Sequence, residues 1–367
     1  MTVITSPYLR LRRKINNRYV LINYLTDKVD VITQEQYKML DTLRIETDID
    51  ETSELYINEM KEKRLLAANR VWSYHRVNRV EIEVISQCNW KCVYCPNAYI
   101  NRSRKVMSMK EFCLILDKCK NYGSISTVCL HVFNEPTIDP FFHDRVIEIK
   151  RRGFQMELFT NASQLTVDKL QLLESMGNVK RIVCHFPSYY PDTFKQLTGT
   201  SDYYKTIRNI QNACHYNIPV HVSIHYTEKL MQKEGEFQHS KMKELFPFAI
   251  IDWIPIQDRA GTLLNPEYNK HINLDLLHLS GCFYFCQILY ISVEGFCFTC
   301  INDSLSLNNV YGNIFDMEVK ELLENKKAVE LRKLIFGGSR APKEFICQKC
   351  VFMKESIQKY QEMWRDV

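Results

Sequence analysis

The chain has 367 residues, 46% hydrophobic and 25% charged, with a formal net charge of +5. These values fit a globular protein of two or three domains and exclude a disordered or collagen-like chain. The mild positive charge, part of it near the start (Arg10, Arg12, Arg13, Lys14, Arg18), gives no expectation of nucleic-acid binding, and no apolar run reaches the length of a membrane span. Residues 1–7 lack the cationic start and apolar core of a signal peptide, so a cytoplasmic location is expected. There the 14 cysteines are expected as metal ligands or small buried residues rather than disulfides.

In chain order, Tyr19–Ile32 reads as a hairpin with a polar turn at Thr26–Lys28, followed by helical patterns at Thr33–Leu43 and Glu54–Lys63. Residues 1–77 are thus expected as a small α+β domain. From residue 80 onward, β-branched runs alternate with helical patterns. The expected strands are Val80–Ile85, Thr127–Phe133, Gln155–Phe159, Arg181–His185, Val220–His225 and Ile250–Ile256. Between them lie a helix opened by Ser108 as N-cap, with Phe112, Ile115, Leu116 and Cys119 on one face, and others near Phe142–Arg151, Val167–Ser175, Tyr203–Cys214 and Ser240–Phe246. Six strands alternating with helices predict an α/β fold, a parallel sheet closed fully or partly into a barrel over residues 78–262. Ligands of such sheets gather at the carboxyl ends of the strands.

Just past the first of these strands stand Cys88, Cys92 and Cys95, spaced Cys-x3-Cys-x2-Cys, with Tyr94 before the third. Three thiolates so placed hold three irons of a cubane 4Fe–4S cluster and leave the fourth iron open to a small molecule. This pattern resembles the signature of the radical S-adenosylmethionine (SAM) superfamily. The resemblance implies a partial (β/α)6 TIM-like barrel and a cluster whose open iron is chelated by the amino and carboxylate groups of SAM. Phe133-Asn134-Glu135-Pro136, after the second strand, resembles the superfamily's Gly-Gly-Glu-Pro segment. That likeness implies that backbone carbonyls and Glu135 accept from the SAM ammonium, while Phe-Asn in place of Gly-Gly puts the backbone geometry in question.

Thr160-Asn161-Ala162 resembles the Thr-Asn-Gly that often follows the third strand, and His185 stands where the family frequently has a Ser contacting SAM. Ser188 and Ser223 are further candidates for SAM contacts, each equally readable as a loop-capping or core residue. Gln257-Asp258-Arg259-Ala260-Gly261 resembles a common family ending, with Arg259 placed to meet a carboxylate.

The last hundred residues, 263–367 by this division, carry Cys282, Cys286, Cys297, Cys300, Cys347 and Cys350. Cys297-x2-Cys300 with Cys347-x2-Cys350 has the spacing of a structural zinc site. The set Cys282, Cys300, Cys347 and Cys350, with a hairpin turn at Val293-Glu294-Gly295 and helical pattern over Met317–Arg332, instead resembles the SPASM and shortened twitch auxiliary-cluster domains. That resemblance implies one auxiliary 4Fe–4S cluster and leaves Cys286 and Cys297 as buried small residues or hydrogen-atom donor thiols.

Residues 1–77 resemble the winged-helix peptide-recognition domains of radical SAM enzymes that mature ribosomal peptides. The expected function is therefore reductive cleavage of SAM to a 5′-deoxyadenosyl radical, which takes a hydrogen atom from a ribosomally made precursor peptide to install a cross-link or epimerise a residue. A flavodoxin- or ferredoxin-type donor would supply the electron. The alternatives are a radical SAM dehydrogenase of a small molecule or protein side chain, and a non-catalytic iron–sulfur or zinc scaffold.

Overall fold

The computed structural model describes residues 2–5, 9–15, 18–23, 29–42, 47–48, 66–67, 77–100, 102–227, 238–256, 259–261, 263, 281–303, 307–350 and 353. The chain divides into two compact units. One joins Met1–Val77 with Ile272–Gln287 and Leu323–Val367, and the other joins Asn78–His271 with Ile288–Leu322.

In the first unit the expected hairpin is present as β3 (Arg18–Asn23) and β4 (Val29–Thr33), antiparallel with Tyr19 opposite Ile32. Its turn and the expected helix Glu54–Lys63 lie outside the described residues. A strand the sequence reading did not assign, β2 (Leu9–Ile15), pairs with β3 to give the order β2-β3-β4. The helix that follows, Gln34–Thr42, buries Tyr37 and Leu40, and Tyr37 stacks on Tyr19 at 4.2 Å. β1 (Thr2–Thr5) pairs with two short strands, β5 (Thr47–Asp48) and β6 (Leu66–Ala67).

The second unit holds six parallel strands in strict chain order: β7 (Arg79–Ile82), β8 (Thr127–Cys129), β9 (Gln155–Thr160), β10 (Val179–His185), β11 (Val220–Tyr226) and β12 (Ile250–Pro255). This large parallel sheet is that of a partial TIM-like barrel. Beyond β7 the sheet continues with β13 (Ile288–Ile291), parallel to β7, and then antiparallel β14 (Phe296–Phe298) and β15 (Val310–Asn313). The β13–β14 turn needs Gly295, at φ 83°, where a Cβ would come within 2.5 Å of the Phe315 ring.

Local sequence accounts for the covering helices. Ser108 and Glu111 form a reciprocal capping box at the start of the helix Met109–Tyr122, with Phe112, Ile115, Leu116 and Cys119 fully buried. Burial of each large apolar side chain on this face contributes about 1.5–3 kcal/mol. The expected helix over Met317–Arg332 is two helices, Val319–Glu324 and Lys326–Ile335, because the Asn325 side chain caps the second by accepting from Ala328 N. A helix without a sequence expectation, Pro191–Thr198, follows β10.

The strands alternate. Val80, Ile82, Val128, Met156, Leu158, Ile182, Val222 and Ile224 are buried to completion on one face. The opposite face is polar: Arg79 bonds Glu81 and Glu157, and the Arg79 and Arg181 guanidiniums each lie over the Phe159 ring, at 5.2 and 5.9 Å. Sheets covered by helices on both sides read as unbroken apolar runs, so this alternation marks a concave interior built for polar contents.

Candidate active site

The cysteine loop springs from the carboxyl end of β7 and is stitched at its base. Glu83 forms two bonds with Arg102, at 2.6 and 2.8 Å, while Ile85 bridges Val106 and Met107 N donates to Val84 O. Within the loop, Lys91 N and Val93 N donate to Thr198 O and Leu197 O. These are the carbonyls left open at the C-terminus of the helix Pro191–Thr198, so loop and helix complete each other. Gly199, at φ 67°, ends that helix, and a Cβ there would press on Lys91 O at 3.2 Å. Trp90 drives the loop home: it is buried, packs edge-on to Phe194 and donates to Asp202 Oδ2 at 3.3 Å.

The loop turns tightly after Cys92, with Cys95 N donating to Cys92 O at 3.0 Å, and Cys350 N makes the same turn onto Cys347 O at 3.3 Å in the other unit. Burial pushes the Cys88 thiol up to about 12 and also raises Cys92 and Cys95; for Cys92 the neighbouring Cys95 and Cys88 add to the effect. Bound positive charge would offset this cost and favour the thiolates. Among the described residues no three His, Cys, Asp or Glu side chains converge as ligands of a single ion. Three neighbouring thiols are the donor set a cubane would take, each binding a different iron.

The Phe133-Asn134-Glu135-Pro136 segment answers its geometric question. Neither Phe133 nor Asn134 is among the residues with positive φ, so this turn does not require glycine. The Asn134 side chain is used locally, accepting from Val132 N and donating to Leu130 O. Pro136 opens a short 3-10 helix capped by Glu135. Glu135 is buried and already accepts four bonds: Thr137 N, Thr137 Oγ1 and Thr160 Oγ1 on Oε1, and Asn161 N on Oε2. It thus ties the second strand loop to the third, and remaining acceptor capacity lies on Oε2 and the backbone.

Ala162 stands at the Gly-like position with φ 59° and no exposure, its carbonyl held by Asn209 Nδ2 at 2.8 Å. A side chain in the left-handed region costs roughly 1–2 kcal/mol, against roughly 0.4–1 kcal/mol of extra chain entropy for glycine. Ala162→Gly is therefore expected to raise stability by about 0.5–1 kcal/mol in urea denaturation. A loss of stability would mean that Ala162 is unstrained.

Across the polar face runs a row of rings: Phe159 stacks on His131 (5.2 Å), then His185 (6.5 Å), His225 (5.2 Å) and Tyr94 (4.6 Å) of the cysteine loop. The Nδ1 atoms of His185 and His225 and the Ser223 hydroxyl are buried without a hydrogen-bond partner among the described residues. Such atoms cost about 1–3 kcal/mol each until a ligand meets them, so they fit a polar cofactor at the strand ends. Arg259, in the left-handed region like Ala260 after it, lies over the Phe133 ring at 5.6 Å. Burial pushes the Cys95 thiol and the Tyr94 phenol up, and the Arg259 charge offsets part of that rise. Gln257 and Asp258 lie outside the described residues. Ser188 is buried and accepts from Tyr190 N, which makes it a loop cap.

Burial pushes His131 down to about 3, aided by His185, Arg79 and Arg259, and pushes His185 to about 4, aided by Arg259. Both stay neutral at physiological pH. Below pH 6.5 the unfolded chain binds a proton at His131 that the folded chain refuses, so stability falls by about 1.4 kcal/mol per pH unit from this group. His131→Gln is expected to flatten the stability–pH curve by that slope between pH 6 and 4. Parallel curves for variant and parent would show that His131 does not titrate this way.

Cys297 is fully buried and in register with Ile291 and Ile82, beside Cys119 on the helix-covered side of the sheet. Its packing accounts for it as a small buried residue, with the sheet between it and the ring row. Cys300 precedes a 3-10 turn, with Asp303 N donating to Cys300 O. In the other unit Cys286 is buried in the helix Phe283–Gln287, with Cys282 just before it. The sequence reading missed Asn89, Trp90, His131, Ser163 and His225; only Asn89 and Trp90 carried a signal, by standing inside the cysteine spacing.

Residues 82–231 match the family model of the radical SAM superfamily. A tungsten-containing aldehyde ferredoxin oxidoreductase cofactor-modifying protein of Pyrococcus furiosus is 31% identical over 96 residues, 26% of this chain and 27% of that one. The chain thus spans about a quarter of that relative's length. The S-adenosyl-L-methionine-dependent 2-deoxy-scyllo-inosamine dehydrogenase of Niallia circulans is 22% identical over 279 residues, covering 74% of this chain and 91% of the relative. Among solved structures, Streptococcus suis SuiB bound to precursor peptide SuiA superposes with a TM-score of 0.59 at 14% identity, covering 96% of this chain and 94% of SuiB. The structure of anSMEcpe with bound AdoMet gives 0.57 at 17% identity, covering 75% and 87%. At these identities the likeness to solved structures establishes the fold alone.

Proposed function

We propose that this chain, a radical SAM enzyme by its core domain, modifies a ribosomally made precursor peptide. The 4Fe–4S cluster and SAM that the family uses supply one-electron cleavage to a 5′-deoxyadenosyl radical and hydrogen-atom abstraction. Cys88, Cys92 and Cys95 hold the cluster, and the Glu135 loop, Arg259 and the unpartnered His185, Ser223 and His225 groups receive SAM. The neutral ring row lines the chamber into which the substrate carbon is brought, and the buried walls keep water from it. The many cysteines of the C-terminal part of the chain are compatible with an auxiliary cluster, and a flavodoxin- or ferredoxin-type protein donates the electron.

One observation carries the peptide reading: the N-terminal sheet ends in β4, whose Val29 and Val31 are 58% and 56% exposed and which, among the described residues, has no strand on its outer side. An extended peptide adds to such an edge through main-chain hydrogen bonds and pairs its side chains with the exposed apolar ones. The SuiB structure, bound to its precursor peptide, supports the same reading.

The test incubates the anaerobically reconstituted protein with SAM, reductant and a candidate precursor peptide encoded beside it. Binding weakened by Val29→Lys with Val31→Lys is expected, together with loss of two hydrogens for a cross-link, or deuterium uptake from heavy water for an epimer. A peptide that neither binds nor changes removes the reading. The likeness to the Niallia circulans dehydrogenase favours a second one, dehydrogenation of a small molecule in the polar interior. Turnover that survives removal of residues 1–77 would support it.

A further inference from the structure

Cys88 Sγ accepts two N–H groups, from the Trp90 backbone at 3.4 Å and from the side-chain amide of Asn161 at 3.8 Å. The second donor is held from every side. Asn161 Oδ1 accepts from Ser163 N at 2.9 Å and Ser163 Oγ at 2.7 Å. A backbone N–H only donates, so the atom facing it is the oxygen, which fixes the amide with Nδ2 toward Cys88. Nδ2 also donates to Asn89 Oδ1 at 2.8 Å, Asn89 Nδ2 donates to Ser163 Oγ at 2.7 Å, and Asn161 N donates to Glu135 Oε2 at 2.6 Å. Asn161 is itself buried, and the next residue holds the left-handed turn that aims it.

We propose that Asn161 is a positioning residue that raises the reduction potential of the cluster held by Cys88, and couples that sulfur to the Glu135 loop. An N–H pointed at a cluster thiolate stabilises the added electron, because the reduced cluster is the more negative state. The amide needs no reorganisation when the electron arrives, since Ser163 and Asn89 hold it beforehand. The same side chain and backbone join the thiolate to the carboxylate that ties down the loop after β8. A shift of Glu135 on ligand binding is thereby transmitted to the bond on Cys88. This inference rests on the cluster assignment and is independent of the substrate.

The test is an EPR-monitored redox titration of the full-length, anaerobically reconstituted protein, with the relevant cluster identified as the one whose signal changes on adding SAM. Asn161→Leu removes the donor in a side chain of similar size. Asn161→Asp removes the donor but keeps the oxygen that accepts from Ser163, so it preserves the turn. Both variants are expected to have a more negative midpoint, Asp more so because it sets a negative charge beside Cys88. In Asn161→Leu the reduced-to-oxidised ratio at the parent midpoint is expected to fall about tenfold, roughly 59 mV for one electron. An unshifted midpoint in variants that keep their cluster would overturn the proposal. If only the Leu variant loses iron, the Asp variant decides by the same criterion. Loss of the cluster from both would overturn it as well, since Asn161 would then be needed for assembly.

Discussion

Cys92→Ser protein, reconstituted without oxygen, will contain about four fewer irons than its parent and will form no 5′-deoxyadenosine from SAM under reducing conditions. Cys92 sits in a small apolar cluster with Tyr94, Leu197 and Leu263, and its neighbours Cys88 and Cys95 raise the cost of ionising it. A hydroxyl at that place is far harder to ionise than a thiol and is a poor ligand for iron. The loop itself stays in place, because its backbone bonds to Leu197 O and Thr198 O do not involve the sulfur. Iron and sulfide analysis, with chromatography of the SAM products, reads the result. Undiminished cleavage in the Ser variant would remove the cluster assignment.

Asp139→Ala is expected to cost about 3–5 kcal/mol of stability. Asp139 and Arg145 are both fully buried and meet at 2.5 Å; Arg145 also donates to Met107 O and lies over the Phe112 ring at 4.8 Å. Removing the carboxylate leaves a guanidinium in the interior without its counter-charge. Because Asp139 ends the 3-10 helix that begins after Glu135, the damage reaches the Glu135 loop. Urea denaturation measures the loss, and a change under 1 kcal/mol would show that water reaches Arg145 in the variant. Replacing both members with Asp139→Leu and Arg145→Met is expected to restore much of the stability, since an apolar pair of similar size has no charge to strand.

What could be read in the sequence was what local chemistry specifies. The Ser108–Glu111 capping box, the alternation of strands and helices, the Gly295 turn and the cysteine spacing all depend on residues within a few positions of one another. β2 escaped because Leu9–Ile15 is largely basic, and its pairing with β3 overrides the weak strand signal of Arg and Lys. The helix Pro191–Thr198 escaped because two turns give little periodicity, yet its last carbonyls anchor the cysteine loop. The ring row was hidden for a different reason. His131, His185 and His225 come from three separated segments, and only the sheet order brings them together. Glu135 was legible as a motif residue, but not the bonds that Thr137, Thr160 and Asn161 make to its carboxylate.

The stitching of the cysteine loop bears on how such an enzyme survives air. Oxygen strips iron from exposed cubanes, and in many small metalloproteins losing the metal means losing the fold. Here Glu83 with Arg102, Trp90 with Asp202, and the two helix carbonyls hold the loop by bonds that need no iron. If Cys88, Cys92 and Cys95 hold the cluster as proposed, its loss would leave these bonds and the three-thiol socket in place. Repair would then be a matter of iron and sulfide supply, with no refolding step to wait for.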